Sequence, residues 1–360
     1  MSGERKDQAQ WAPGKIVLLG SGETSTSGGQ VFEMLARELP VPLRARVLET
    51  PAGFELNADR VAGRVADYLR VRLQNYQPDV QQIAARRKDP ALTAQNPGVN
   101  RDLLDSDMIF LGPGSPSYTV RHLEGSLTWE LIRARHRKGA AVVFASAAAI
   151  ASGVLSLPVY EIFKVGEDPH WKPGLDFFAP FGLRLVVVSH WNNHDGGADL
   201  DTSHCVVGKS RFHSLMPQIA PEMTVVGLDE QTGLVLDLQR ACCKVVGRGE
   251  VHLLRAGQEQ TVAHGHEFPI HELGDFHLPR QPEEGIPAEV WAAVQASQAG
   301  SDGVVPEHVL RLLEQRKDAR ASRDWQLSDQ LRGEIAALGF QVLDTPQGQQ
   351  LERSERAISD

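Results

Sequence analysis

Five short, almost continuously apolar runs separated by amphipathic stretches constrain this chain more than any other feature. They are residues 15–19 (KIVLL), 46–50 (RVLET), 108–111 (MIFL), 141–144 (AVVF) and 183–188 (LRLVVV). Strands covered on both faces of a parallel sheet have this composition. Helical periodicity fills the gaps, at 30–38, 58–73 and 129–138. Strand–helix alternation predicts an α/β fold: a mostly parallel, doubly wound sheet with right-handed crossovers. After Pro221 the rhythm shortens, with strands expected at 225–228, 234–238, 244–246 and 251–254 between Gly-rich turns, an antiparallel extension. The stretch QPEEG (281–285) has linker composition, and beyond it 306–320 and 324–338 read as charged, amphipathic helices. The organisation expected is an α/β domain over 12–280, a linker with a short helix over 281–305, and a small helical module over 306–350.

Composition narrows the partners. A net charge of -9 leaves no dominant electrostatic grip on nucleic acid. Cys205, Cys242 and Cys243 form neither a CxxC pair nor an even framework, so free thiols in a reducing compartment are expected. Residues 1–10 are polar, with no apolar core of a secretory signal, and no apolar run approaches a membrane span. A cytoplasmic protein without a membrane partner is the expectation.

The chemistry concentrates in residues 141–153, AVVFASAAAIASG. An apolar strand runs directly into Ser146, and small, helix-compatible residues follow, the layout of a nucleophile elbow. A helix opening after Ser146 aims free N–H groups at a developing oxyanion. A serine N-capping an Ala-rich helix fits this segment equally well, so the choice rests on partners. Residues 186–197 (VVVSHWNNHDGG) end a strand at His190, on the sheet edge where open α/β folds place their chemistry, and make it the candidate base. His194 stands four residues on, but the NNHDGG run does not favour the helix that would align two rings on zinc, so no metal is expected. The turn at 112–118 (GPGSPSY) follows another strand end, and Gly114 is a candidate oxyanion donor. The turn at 20–25 (GSGETS) lacks the third glycine of a dinucleotide fingerprint and reads as a tight turn.

In order along the chain, GSGE, FLGPGSPSY, SAAA, SHWNN and VVGLDEQTGLVLDL resemble the dipeptidase E and cyanophycinase family of serine peptidases, over roughly residues 15–254. The resemblance implies a class I glutamine amidotransferase-like fold with flavodoxin-like layers, and serine as nucleophile. It places Ser146 as nucleophile and His190 as base. It points to Glu161, in LPVYEIFKVG, as the acid that orients His190, with Glu230 of GLDE as the runner-up. Gly114 and the Ala147 N–H would form the oxyanion hole, and no cofactor is implied. The expected reaction is acyl transfer from a short peptide or isopeptide-like amide through an acyl-enzyme. Two departures bear on substrate. Phe144 and Ala148 replace the glycines that flank the family's serine, the first by a large side chain that would reshape the pocket. Ser203 stands where the family holds an aspartate side chain with arginine; Lys209, Arg211 and the loop residue Asn192 are the remaining candidates for substrate contact.

The segment QRKDARASRDWQLSDQLRGEIAALGFQVLDTPQG resembles the carboxyl-terminal piece of cysteinyl-tRNA synthetase, through Arg320, Asp324, Trp325, Asp329, Arg332, Gly339, Asp344, Thr345 and Gly348. Neither adenylate-binding signatures nor zinc cysteines accompany it. Leu312, Leu327, Leu331, Ile335 and Leu338 form an apolar stripe, so a packing or homodimerising hairpin accounts for it more simply than tRNA binding. The alternative function is an inactive peptidase fold that binds tRNA or protein through these helices.

Overall fold

The computed structural model describes residues 11–88, 93–303, 307–337, 340–345 and 348–353. It divides into two compact units, Met1–Gln295 and Ala296–Asp360. The polar segment 1–10, Pro306, Leu338 and Gly339 fall outside the described residues.

The first unit is built on two sheets. Its larger sheet carries β1 (Ile16–Leu19), β2 (Arg44–Leu48), β3 (Asp79–Ile83), β4 (Met108–Leu111) and β5 (Ala141–Ala145), in the order β1-β5-β4-β2-β3. All five are parallel. The second, six-stranded sheet begins with β6 (Leu155–Ser156), β7 (Lys172–Pro173), β8 (Leu185–Val188) and β9 (Thr224–Leu228). The large sheet is then extended antiparallel by β10 (Thr232–Asp237), which pairs with β1, and by β11 (Cys242–Gly247). β12 (Glu250–Arg255) and β13 (Gln258–Ala263) complete the second sheet, and β14 (Glu267–Pro269) closes the edge of the first. The expected parallel core and antiparallel extension are both present. The run at 183–188, however, pairs with β6 and β9 rather than joining the first sheet. Apolar continuity reports burial on both faces and is silent about which sheet supplies the neighbours.

Alternation along each strand sorts the core. Val17, Leu19, Phe110, Val143 and Ala145 face α1 (Thr26–Ala36) and α2 (Ala58–Arg72). Leu18, Ile109, Leu111, Val142 and Phe144 face the other way, toward Trp129 and Ile132 and the inner side of the second sheet at Leu185, Val187 and Val226. Serines cap three of the helices: Ser25 accepts from the Gly28 amide ahead of α1, Ser115 from Tyr118 ahead of α3 (Pro116–Leu123), and Ser126 from Trp129 ahead of α4 (Leu127–Arg137). The short α5 (Ala147–Ser152) leaves the end of β5, and α6 (Lys209–Leu215) packs Phe212 and Leu215 on the outer side of the second sheet. The stretch expected to hold a linker with a short helix contains α7 (Ala288–Gly303), a 16-residue helix whose Val290, Trp291 and Val294 are buried in the first unit's core. No described helix is long and apolar enough to cross a membrane.

The second unit contains α8 (Glu307–Ala321) and α9 (Trp325–Ala337), the two expected helices. It also contains a hairpin of β15 (Phe340–Thr345) and β16 (Gly348–Arg353), so the module is not purely helical. Val309, Ile335, Phe340 and Val342 form its core. Arg316, fully buried, donates to both carboxylate oxygens of Asp344 at 2.9 and 3.0 Å, fastening α8 to the hairpin.

Candidate active site

β5 delivers Ser146 to the edge of the large sheet. Its amide still pairs with Leu19 O of β1 at 2.9 Å, and α5 begins at the next residue. Between the two the backbone turns through φ 52°, ψ -115° at Ser146, a sharp bend for a residue carrying Cβ. The carbonyl is fixed by the Ser189 hydroxyl at 3.2 Å and by Ile150 N at 3.1 Å. Ser146 Oγ makes no capping bond to its helix. It lies instead 2.9 Å from His190 Nε2. The capping alternative therefore fails on geometry.

His190 follows β8, and it too has a positive φ of 51°. Its other ring nitrogen, Nδ1, lies 3.0 Å from Glu230 Oε1. The expected acid, Glu161, does not reach the ring: its carboxylate accepts from Lys172 Nζ at 2.8 Å. Glu161 and Lys172 form a pair of their own. Burial pushes the Glu161 carboxyl up, but the bond from Lys172, further hydrogen bonds and the Lys172 charge together hold it below its ordinary value. Glu230, the runner-up, takes the place at His190 because β9 ends beside β8, with Val188 opposite Gly227.

Glu230 is positioned by both neighbouring loops. Asn193 Nδ2 donates to its carboxylate at 3.0 Å, and its own amide donates to Asn192 Oδ1 at 2.8 Å. Burial raises its proton affinity, but the bonds from Asn193 and His190 outweigh that and hold the carboxyl below its ordinary value. The first glycine-rich turn serves the same loop: Ser21 Oγ accepts from Gln231 N at 3.0 Å, and Gly20 N donates to Thr232 O at 2.8 Å. It is a tight turn with a positioning task. Trp191 lies across Gly227, where a Cβ would come within 2.4 Å of the indole.

A cavity of about 290 Å³ opens over these residues, lined by Ser146, His190 and Glu230 together with Gly114 and Ala147. Gly114 has φ 150°, and a Cβ there would lie 1.8 Å from Pro51 O, so only glycine brings this turn against the elbow. Ala147 opens α5, and first-turn amides have no acceptor within their own helix. Both expected oxyanion donors thus line the cavity that holds Ser146.

The expected substrate contacts do not gather there. Asn192 is engaged with the Glu230 amide, while Lys209 and Arg211 lie exposed on α6 and do not line the cavity. Lining it instead are Asn193, Asp195, Tyr160, Phe163 and Lys164, which the sequence reading passed over. Phe144 leaves the pocket unobstructed: fully buried, it packs against Phe177 and Trp129 with ring centroids 5.0 and 6.3 Å away. Outside the cavity, Asp229, Glu250 and His252 bring potential metal-ligand atoms within 4.8 Å of one another. Asp229 there accepts from the Glu250 amide and lies 3.3 Å from His252 Nε2.

An elbow serine, a histidine and a carboxylate in one hydrogen-bonded line, on an α/β sheet, define the class of arrangement. The fold itself is that of a solved peptidase from an acI-B1 Actinobacterium, which aligns with 72% of this chain and 98% of its own length, at TM-score 0.57 and 18% identity. Residues 302–351 match the family model described as the cysteinyl-tRNA ligase anticodon binding domain. The same region is 43% identical over 53 residues to the cysteine–tRNA ligase of Methanosarcina mazei, 15% of this chain and 11% of the ligase. It is 51% identical over 47 residues to cysteine–tRNA ligase 1 of Burkholderia lata, 13% of this chain and 10% of the ligase. The chain thus spans about a tenth of the length of these curated relatives.

Proposed function

We propose that the first unit is a serine hydrolase that cleaves short peptides or related amides through an acyl-enzyme. The observation that carries this is the line from Ser146 Oγ through His190 to Glu230, at 2.9 and 3.0 Å. His190 takes the Ser146 proton as Oγ attacks the carbonyl carbon, and Glu230 holds the tautomer whose Nε2 accepts it. The Gly114 and Ala147 amides receive the developing oxyanion. His190 then protonates the leaving amine, and water, activated by the same ring, releases the acid. Turnover of a panel of Xaa-Xaa dipeptides that disappears in Ser146→Ala supports this reading, and turnover that survives in that variant refutes it.

A second reading concerns the C-terminal unit, and the match to the anticodon binding domain favours it. We propose that it contacts tRNA through the exposed face bearing Trp325 and Arg320, whose guanidinium lies 5.7 Å over the indole. Fluorescence anisotropy of the full-length protein with a cysteine tRNA transcript tests this. Weaker binding in Trp325→Ala supports it; binding equal to that of an unrelated tRNA and unchanged in the variant contradicts it. With free thiols at all three cysteines, we place the protein in the cytoplasm.

A further inference from the structure

The cavity over Ser146 has a buried end and an exposed mouth, and their chemistry differs. The apolar part of the buried end is formed by Ile150, Val159 and Cys205, each less than a tenth exposed and in one cluster with Val206 packed against it, while the equally buried Asn193 is turned to Glu230. Phe163 and Lys164 stand at the mouth, the Lys164 ammonium 5.4 Å from the Tyr160 ring. None of the lining residues is an arginine. Asp195 accepts from Asn193 Nδ2 at 3.0 Å, which ties it to the Glu230 side of the cavity.

The wall contributed by Cys205 and Val206 is built against backbone preference. His204, Cys205 and Val206 have φ of 55°, 58° and 59°, three successive left-handed residues of which none is glycine and one is β-branched. The surroundings enforce the turn. Its amides donate to Trp191 O, His190 O and Thr202 O at 2.9, 3.1 and 2.9 Å. The His204 ring is held between Trp191 and Phe212, with centroids 4.1 and 4.7 Å away. Strain held this firmly, and tied to the carbonyl of His190, is of the kind that clusters at functional sites. What it achieves is to set two neutral side chains beside the nucleophile. Burial pushes the Cys205 thiol up to about 12, so the sulfur stays protonated and acts as wall rather than as a second nucleophile.

We infer that the buried end is a subsite for a neutral, aliphatic acyl side chain. The hydrolase proposed above therefore takes substrates with an apolar residue, not an acidic one, before the scissile bond, and their charged terminus lies at the mouth near Lys164. The inference rests on the serine-hydrolase reading. In the step concerned, Ser146 Oγ bonds to the acyl carbon and its proton passes through His190 to the departing group as the scissile bond breaks. The aliphatic side chain meanwhile occupies the space between Ile150, Val159 and the Cys205–Val206 wall.

Two esters of nearly equal size separate the alternatives. p-Nitrophenyl butyrate and p-nitrophenyl hydrogen succinate differ by a terminal methyl against a terminal carboxylate. With the full-length protein, kcat/KM for the butyrate is expected to exceed that for the succinate by about tenfold or more, because the apolar end offers the carboxylate no partner. It should also exceed that for the acetate, which does not reach the wall. Val206→Asn suits left-handed backbone while adding polarity, and should lower the butyrate-to-acetate ratio by about fivefold. Equal rates for butyrate and succinate, or a faster succinate, overturn the subsite while leaving the hydrolase standing. Failure of every ester to acylate Ser146 overturns the hydrolase, and the subsite with it.

Discussion

Replacing Glu230 by glutamine isolates what its charge does. The side chain keeps its shape and an acceptor for His190 Nδ1, so the elbow and the cavity stay as they are. What is lost is the attraction between the carboxylate and the imidazolium that forms as Ser146 is deprotonated. An atom-to-atom distance of 3.0 Å puts the charge centres about 4 Å apart, where an effective dielectric near 20 gives about 4 kcal/mol. At 1.36 kcal/mol per decade that is about three decades of rate. Both side chains retain a quarter to a third of their exposure, and solvent screening trims the expected loss to about two to three decades in kcat/KM. Burst kinetics with p-nitrophenyl butyrate measure it, with circular dichroism and a thermal melt as controls on folding. Glu161→Gln, made in parallel, removes the partner of Lys172 and should change the rate by no more than about threefold, since a half-buried ion pair away from the reacting atoms acts through stability alone. If Glu161→Gln proves as damaging as Glu230→Gln, or Glu230→Gln stays within a few-fold of the parent, the assignment of the acid is wrong.

Two further outcomes follow from strain and burial. Ser146→Gly should abolish acylation while stabilising the first unit by about 1 kcal/mol, since glycine relieves the positive-φ bend; a lower midpoint in urea than the parent's would contradict a strained elbow. His136 is buried against Gly14 O, and burial, with Arg137 adjacent, lowers its pKa from 6.5 to about 3. The folded state therefore favours the neutral ring, and stability present above pH 6.5 is lost as pH falls toward 3. Between pH 7 and 5 this amounts to about 2 kcal/mol, which the difference in urea midpoints should show for the parent and not for His136→Gln. Identical pH dependence in the two proteins would refute it.

How much of this could be read in the sequence differs by element. Ser146 and His190 were legible because each ends an apolar strand and begins a turn, and parallel strands bring such ends to one edge. Choosing between Glu161 and Glu230 needed sheet topology: only the parallel pairing of β8 with β9 carries residue 230 to the His190 ring, while residue 161, nearer in sequence, turns to Lys172. Phe144 looked obstructive because spacing gives adjacency to Ser146 but not which face of the sheet receives the ring. β3 escaped because an edge strand reading DVQQI, with alternate residues toward solvent, lacks the apolar continuity of its neighbours. The β15–β16 hairpin was submerged in a resemblance that described a helical piece. The left-handed turn at 204–206 had no sequence signal at all, since neither glycine nor asparagine marks it.

The central claim is that Ser146 is a nucleophile activated by His190. Incubating the full-length protein with a fluorophosphonate and mapping the adduct by peptide mass spectrometry tests it most directly. The account predicts one adduct, on Ser146, absent in Ser146→Ala and formed far more slowly in His190→Ala. No adduct on Ser146, or one that forms at the same rate without His190, would contradict it.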